Sequence, residues 1–285
     1  MKNVLAITVI LSLQATAQEP QPPDTIRRPP VFWTNSLVGT FTITQVSLTD
    51  WIQGGENALA YTTFLNGKAV YEENEIVWSN SFKFAFGQTR LGSQELRKTE
   101  DKLELESVLT YKLGTYINPY AATTFKYQFA SGFKYDNLGG RIPVSRFYDP
   151  AYLTQSLGAG YQLMPEVKTR LGAALREIVT SEFFSYADDP KTSEIERVKI
   201  EDGLESVTDV QWRIEENTTF SSKLELFASF RTLEKIIVRG DNTLTTKLGK
   251  FVTLLFNVQV INERLASPRT QAKQTLAIGV NFTLI

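Results

Sequence analysis

The chain has 285 residues, 42% hydrophobic and 21% charged, and its thirty basic and thirty-one acidic residues leave a net charge of −1. It contains neither cysteine nor histidine, which excludes disulfides, thiolate chemistry, a lipidated N-terminal cysteine, Ser-His-Asp or Cys-His catalysis and the commonest transition-metal ligands. Near-neutrality gives no reason to expect a nucleic-acid partner, and the length suits one large β domain or two ordinary ones.

Residues 1–17 read as a secretory signal peptide. Lys2 is the positive start, Val4 to Leu13 the apolar core, and Ala15-Thr16-Ala17 a small-x-small cleavage site. A membrane-spanning helix would need about twenty apolar residues, and neither this segment nor any later one reaches that. A secreted chain of this kind would enter a bilayer only as a closed β barrel. The proline-rich stretch 18–32 reads as a disordered leader outside the fold, leaving 33–285 as the barrel domain.

From Ser36 the alternation of apolar and polar residues predicts twelve strands: 36–47, 58–71, 76–89, 101–113, 119–130, 151–163, 166–179, 204–214, 218–231, 236–248, 251–263 and 273–285. The strand at Lys102 to Leu113 shows the code most clearly. Leu103, Leu105, Leu109, Tyr111 and Leu113 fall on one parity, and Lys102, Glu104, Glu106, Thr110 and Lys112 on the other. Because successive strand residues point to opposite faces, each strand has a greasy face and a polar face. Asn80 in the third strand and Gly240 and Asn242 in the tenth are misfits on the greasy parity.

The connections around 72–75, 114–118, 164–165, 215–217 and 249–250 are short, whereas most of those at 48–57, 90–100, 131–150, 180–203, 232–235 and 264–272 are longer. An even strand number with short and long connections alternating is the pattern of an antiparallel up-and-down barrel in the outer membrane. Aromatic residues gather near the short turns, at Tyr71, Trp78, Tyr111, Tyr116, Tyr120, Tyr161, Trp212, Phe220 and Phe251, as expected for a girdle at a membrane interface.

If the polar parity faces inward, the lumen carries Lys68, Lys83, Lys102, Lys112, Lys126, Lys168, Arg170, Arg176, Arg213, Lys223, Arg231, Arg239 and Lys247. Against these thirteen basic groups stand six acidic ones, Glu104, Glu106, Glu205, Asp209, Glu225 and Asp241, so 13 − 6 gives a lumen near +7. A passage lined by one sign of charge concentrates the opposite ion, which points to a pore for small anionic solutes. The alternative is a non-conducting structural or partner-binding surface protein, because the same side chains can pair across the interior and plug a barrel of modest bore.

Among the outer loops, Trp51, Gly54, Gly55, Glu56 and Asn57 form a candidate binding lip, with a tight turn requiring positive φ as the plain explanation of the two glycines. The acidic loop from Ser181 to Gly203 could hold a divalent cation, but its spacing matches no known calcium loop, and a solvated loop explains it as well. No catalytic motif, cofactor or metal site is expected.

Several segments resemble a family of bacterial outer-membrane β barrels of unknown function. They are Ser47-Leu48-Thr49-Asp50-Trp51 with Gly54-Gly55-Glu56-Asn57; Leu96 to Leu105; Phe125 to Tyr135; Pro150 to Thr154; and Phe220 to Phe227. The resemblance implies the barrel and the outer membrane and no activity. It also implies insertion by the outer-membrane assembly machinery, which reads the C-terminal strand. Such strands usually finish on an aromatic, whereas this chain ends Phe282-Thr283-Leu284-Ile285, so recognition would centre on Phe282.

Overall fold

In a computed structural model the chain is described over residues 32–283, except 50–51, 54, 115, 137–139, 190–191, 234 and 264–268. The expected signal peptide and nearly all of the leader, together with Trp51, Gly54, Leu284 and Ile285, lie outside the described residues. Twelve antiparallel strands form a closed barrel in the order β1-β14-β13-β12-β11-β10-β9-β8-β5-β4-β3-β2. They are β1 (Trp33–Val46), β2 (Ala58–Glu73), β3 (Ile76–Leu91), β4 (Arg97–Tyr111), β5 (Asn118–Tyr127), β8 (Ala151–Met164), β9 (Val167–Val179), β10 (Val198–Glu215), β11 (Thr218–Ser229), β12 (Ile237–Lys247), β13 (Val252–Asn262) and β14 (Gln271–Thr283). Each of the twelve expected strands is present. A small separate hairpin, β6 (Gly132–Tyr135) with β7 (Arg141–Ser145), stands within the loop after β5 and was not expected from the sequence.

Closure is made by β1 and β14, paired from Val38↔Thr283 to Phe41↔Val280. A closed ring leaves no strand with unpaired backbone groups, the condition a sheet must meet in hydrocarbon, where water cannot satisfy them. The register also settles the faces, because residues opposite each other on neighbouring strands share a face. One row runs Asn66↔Lys83, Lys83↔Glu104, Glu104↔Lys126 and Lys126↔Tyr152 across β2, β3, β4, β5 and β8. The intervening row, Leu65↔Phe84↔Leu103↔Tyr127, carries the apolar residues.

The apolar parity faces out. Leu109, Leu157, Leu171, Ile278 and Leu276 are exposed, Leu276 at 72%, and a belt of bare leucine and isoleucine around a closed barrel is stable only against lipid. Two polar residues on this face, Asn242 and Ser107, are partnered. Asn242 accepts a hydrogen bond from Ser222 at 2.8 Å, and Ser107, the register partner of Asn80, accepts one from the Trp78 indole at 2.8 Å. At the short-turn end Trp33 packs against Tyr71 and Trp78, with ring centroids 5.3 and 5.7 Å apart, and Tyr116 stacks on Tyr161.

Three expectations are corrected. Tyr120 is 3% exposed and sits on the inward parity with Ala122 and Thr124, so it belongs to the interior and not to the girdle. The strands β4 and β10 start earlier than their hydrophobic pattern suggests, because charged residues near their starts, such as Glu100 and Glu201, point inward. As a result the outer connection 92–96 is no longer than the turn-side connection 112–117, and loop length alternates less cleanly than the sequence indicates. Finally, β11 ends at Ser229, so Arg231 lies in the turn beyond it, 79% exposed and 3.7 Å from Asp202. It does not line the lumen.

Candidate functional site

The interior is the candidate site, and side chains fill its middle. Lys126 on β5 meets Glu225 on β11 at 2.6 Å, although β8, β9 and β10 separate these strands in the wall. Such a contact can form only across the lumen. Lys102 on β4 meets Asp241 on β12 at 3.2 Å, and those two strands are diametrically opposite in the ring of twelve. Lys223 on β11 reaches Glu104 and Glu106 on β4 at 3.2 and 2.8 Å, and Glu225 beside it at 3.5 Å. Lys102 and Lys126 also meet Glu104 at 3.1 and 3.9 Å, and Arg170 on β9 is ion-paired with Glu106.

This belt holds five cations, Lys83, Lys102, Lys126, Arg170 and Lys223, with Lys83 the register partner of Glu104, against five carboxylates, Glu104, Glu106, Glu225, Asp241 and Asp209, the last the register partner of Lys223. Its formal charge is therefore zero. Small polar contacts fill the remaining sector, with Asn281 donating to Thr253 at 2.6 Å and Asn257 to Asp241 at 2.6 Å. Thr253, Thr40 and Asn257 are buried.

A second layer lies nearer the loop end. Arg176 on β9 pairs with Glu201 on β10 at 3.4 Å and with Glu263, just beyond β13, at 2.6 Å; Arg239 on β12 meets the same Glu263 at 2.8 Å. Both guanidinium groups stand over the Tyr152 ring, 5.6 and 5.4 Å from its centroid. Lys273 on β14 crosses to Glu100 on β4 at 2.6 Å. Between the two layers remains a cavity of about 40 Å³, lined by Lys126, Glu205 and Glu225 on one side and Tyr152, Arg176 and Arg239 on the other. That is room for water but not for a solute.

Most of the sequence-derived lumen residues therefore divide into two groups. Lys102, Glu104, Glu106, Lys126, Arg170, Arg176, Lys223, Glu225, Arg239 and Asp241 are brought together in the two layers, with Lys83 beside them. Lys68, Lys168 and Arg213 stand nearer the short turns, exposed and outside the network. Sequence reasoning missed Glu100, Glu201, Glu263 and Lys273. Alternation extended by one to three residues beyond the assumed strand starts would have found Glu100 and Glu201, and strict parity along β13 and β14 would have found the other two.

The loops form a compact layer of their own. Asp149 is 2% exposed, and its Oδ2 accepts hydrogen bonds from the Ser181 amide at 3.1 Å, the Ser181 hydroxyl at 2.8 Å and the Glu182 amide at 2.7 Å, tying the 128–150 loop to the 180–197 loop. Burial pushes its carboxyl up, but these hydrogen bonds outweigh burial and hold it below the ordinary carboxylate range. In the acidic loop, Glu196 accepts from the Thr192 hydroxyl and the Asp189 amide, which hold it down at about 2. These carboxylates serve the loop's own turns. Among the described residues no group of three or more metal-ligating side chains gathers. Gly55 adopts φ +123°, so the turn explanation holds for that glycine, and Asn57 accepts the Leu48 amide at 2.7 Å.

A closed twelve-stranded barrel with a lipid-compatible exterior and a charged interior defines the class as an integral membrane barrel of the outer-membrane type. Residues 43–133 match the model of a family described as "Protein of unknown function (DUF3078)". This span includes two of the five segments on which the resemblance in sequence rests and most of a third. No curated protein matches the chain. Among solved structures, an outer membrane channel from Pseudomonas putida F1 is similar at 11% identity and TM-score 0.41, over 93% of this chain and 99% of that one. The translocator domain of the autotransporter NalP from Neisseria meningitidis is similar at 8% identity and TM-score 0.37, over 90% of each chain. The outer membrane channel DcaP of Acinetobacter baumannii is similar at 8% identity and TM-score 0.30, over 88% of this chain and 97% of that one.

Proposed function

We propose that this protein is an outer-membrane barrel whose lumen is shut at rest, so that it acts through its two mouths and not as a standing open pore. The observation that carries this reading is the charge-balanced belt of ion pairs joining opposite walls. Water and ions entering from either end meet side chains already paired with each other, and displacing them exposes desolvated charge. In the same proposal membrane lipid is the partner of the exterior, and Phe282, exposed on the outside of β14, is the residue the assembly machinery reads.

A second reading, a gated passage for small solutes, is favoured by the way the lumen is closed. Side chains of the wall close it, with no inserted segment among the described residues, so substitution or a bound ligand could open it. The charge balance of the belt removes the reason for anion selectivity at the constriction and moves the basic excess to the turn end. Single-channel recording in planar bilayers tests the first reading. Wild-type protein should give no unitary conductance at neutral pH, and Lys126→Ala together with Glu225→Ala should give one. Steady conductance of the wild type would refute the shut barrel.

A further inference from the structure

Below the belt the lumen changes character. Inward residues at mid-depth are buried, Glu104 at 3% and Val207 at 1% exposure. Toward the short turns, residues on the same parity, Ser36, Asn66, Lys68, Gln162, Lys168, Gln211 and Arg213, are exposed although they lie within strands. Inward residues reach solvent in mid-strand only when the space they face is open. The turn end of the lumen is therefore a water-filled chamber with the belt as its floor.

The walls of this chamber are basic. Lys68 on β2, Lys112 after β4, Lys168 on β9, Arg213 on β10 and Lys247 on β12 point into it. The acidic group facing them is Glu72, paired with Lys112 at 2.5 Å; Asp209, the register partner of Lys168 and of Lys223, is balanced within the belt. Five cations against one carboxylate leave an excess of four. Glu215 does not reduce it, because the register shift between Arg213 and Glu215 places Glu215 opposite Thr218, in the outward row. Among the described residues Lys68, Lys168, Arg213 and Lys247 make no ion pair. The Arg213 guanidinium donates only to the Glu216 carbonyl at 3.0 Å. Lys68 on β2 and Lys168 on β9 stand on nearly opposite walls, five strands apart in the ring of twelve.

We propose that this chamber is a binding site for small polyanions carrying two or more phosphate or carboxylate groups, entering from the short-turn side, which is periplasmic in outer-membrane barrels. Unpaired cations on facing walls of a low-dielectric cup focus their field inward and bind multivalent anions better than monovalent ones. The proposal rests on the shut-barrel reading, since an open belt would make the chamber one end of a pore.

The absence of cysteine allows a clean test. In a Gln211→Cys variant, whose only thiol stands in the chamber, the reaction rates with an anionic sulfonatoethyl and a cationic trimethylammonioethyl methanethiosulfonate are compared at low salt. The anionic reagent should be favoured by at least about tenfold relative to a free thiol. Adding Lys68→Gln and Lys168→Gln should reduce that preference several-fold, and inorganic pyrophosphate should slow the anionic reagent in Gln211→Cys but not in the triple variant. Equal rates for the two reagents, or no protection by pyrophosphate, would overturn the proposal. Gln211→Cys protein in planar bilayers tests the belt separately: reaction with reagent added only on the long-loop side would refute the shut barrel, while the rate ratio would still decide the anion site.

Discussion

Replacing Glu104 with Gln probes the belt at its most connected point. Its carboxylate faces Lys102 at 3.1 Å, Lys223 at 3.2 Å and Lys126 at 3.9 Å, with Lys83 as its register partner. The substitution keeps the shape and a hydrogen-bond acceptor but removes the charge these cations share. Breaking a buried ion pair from one side costs about 3–5 kcal/mol. Here each lysine in contact keeps another carboxylate: Asp241 for Lys102, Glu225 for Lys126, and Glu106 with Glu225 for Lys223. We therefore expect the low end, about 3 kcal/mol, read as a lowered urea midpoint in detergent micelles and followed by tryptophan fluorescence and by the mobility of unheated protein in gels. Adding Lys223→Gln restores the charge balance, so the double variant should recover part of the loss and show coupling of about 1 kcal/mol or more. A single-variant loss below about 0.5 kcal/mol, the range of an ordinary surface substitution, or strict additivity in the double variant, would refute the belt as a cooperative closure.

Asp149→Asn removes the negative charge that accepts three hydrogen bonds from Ser181 and Glu182, so the 128–150 and 180–197 loops should be cut several-fold faster by trypsin in intact cells, with the barrel's unheated mobility unchanged. Equal cleavage rates would show that this carboxylate does not hold the two loops together. For Glu196 the folded pKa of about 2 lies below the ordinary value of 4.5. Its contribution to loop order is therefore present above 4.5 and lost as the pH falls from there through about 2. Amide chemical shifts of Asp189 and Thr192 should move together over that window, and a transition centred near 4.5 would contradict the hydrogen-bonded carboxylate.

How much was legible in the chain varies by feature, for physical reasons. Strand existence and face came through because lipid outside and charge inside impose strict alternation, as at Leu103-Glu104-Leu105-Glu106. Strand ends did not, since the first residues of β4 and β10, such as Glu100 and Glu201, are charged and resemble loop. Their inward direction becomes evident only once the register with neighbouring strands is known. The β6–β7 hairpin was hidden because four- and five-residue strands carry too little periodicity to stand out from loop.

The charges show the sharpest division. Sequence by itself determined that the polar parity carries more Lys and Arg than Asp and Glu, and that each strand has one greasy face, because both follow from residue identity and a period of two. Only the closed ring decided which charges meet. Lys126 and Glu225, 99 positions apart, and Lys102 and Asp241, 139 apart, become neighbours because closing twelve strands brings opposite walls within side-chain reach. That closure cancels the charge at mid-depth and leaves the basic excess at the turn end, an arrangement no count along one strand could reveal.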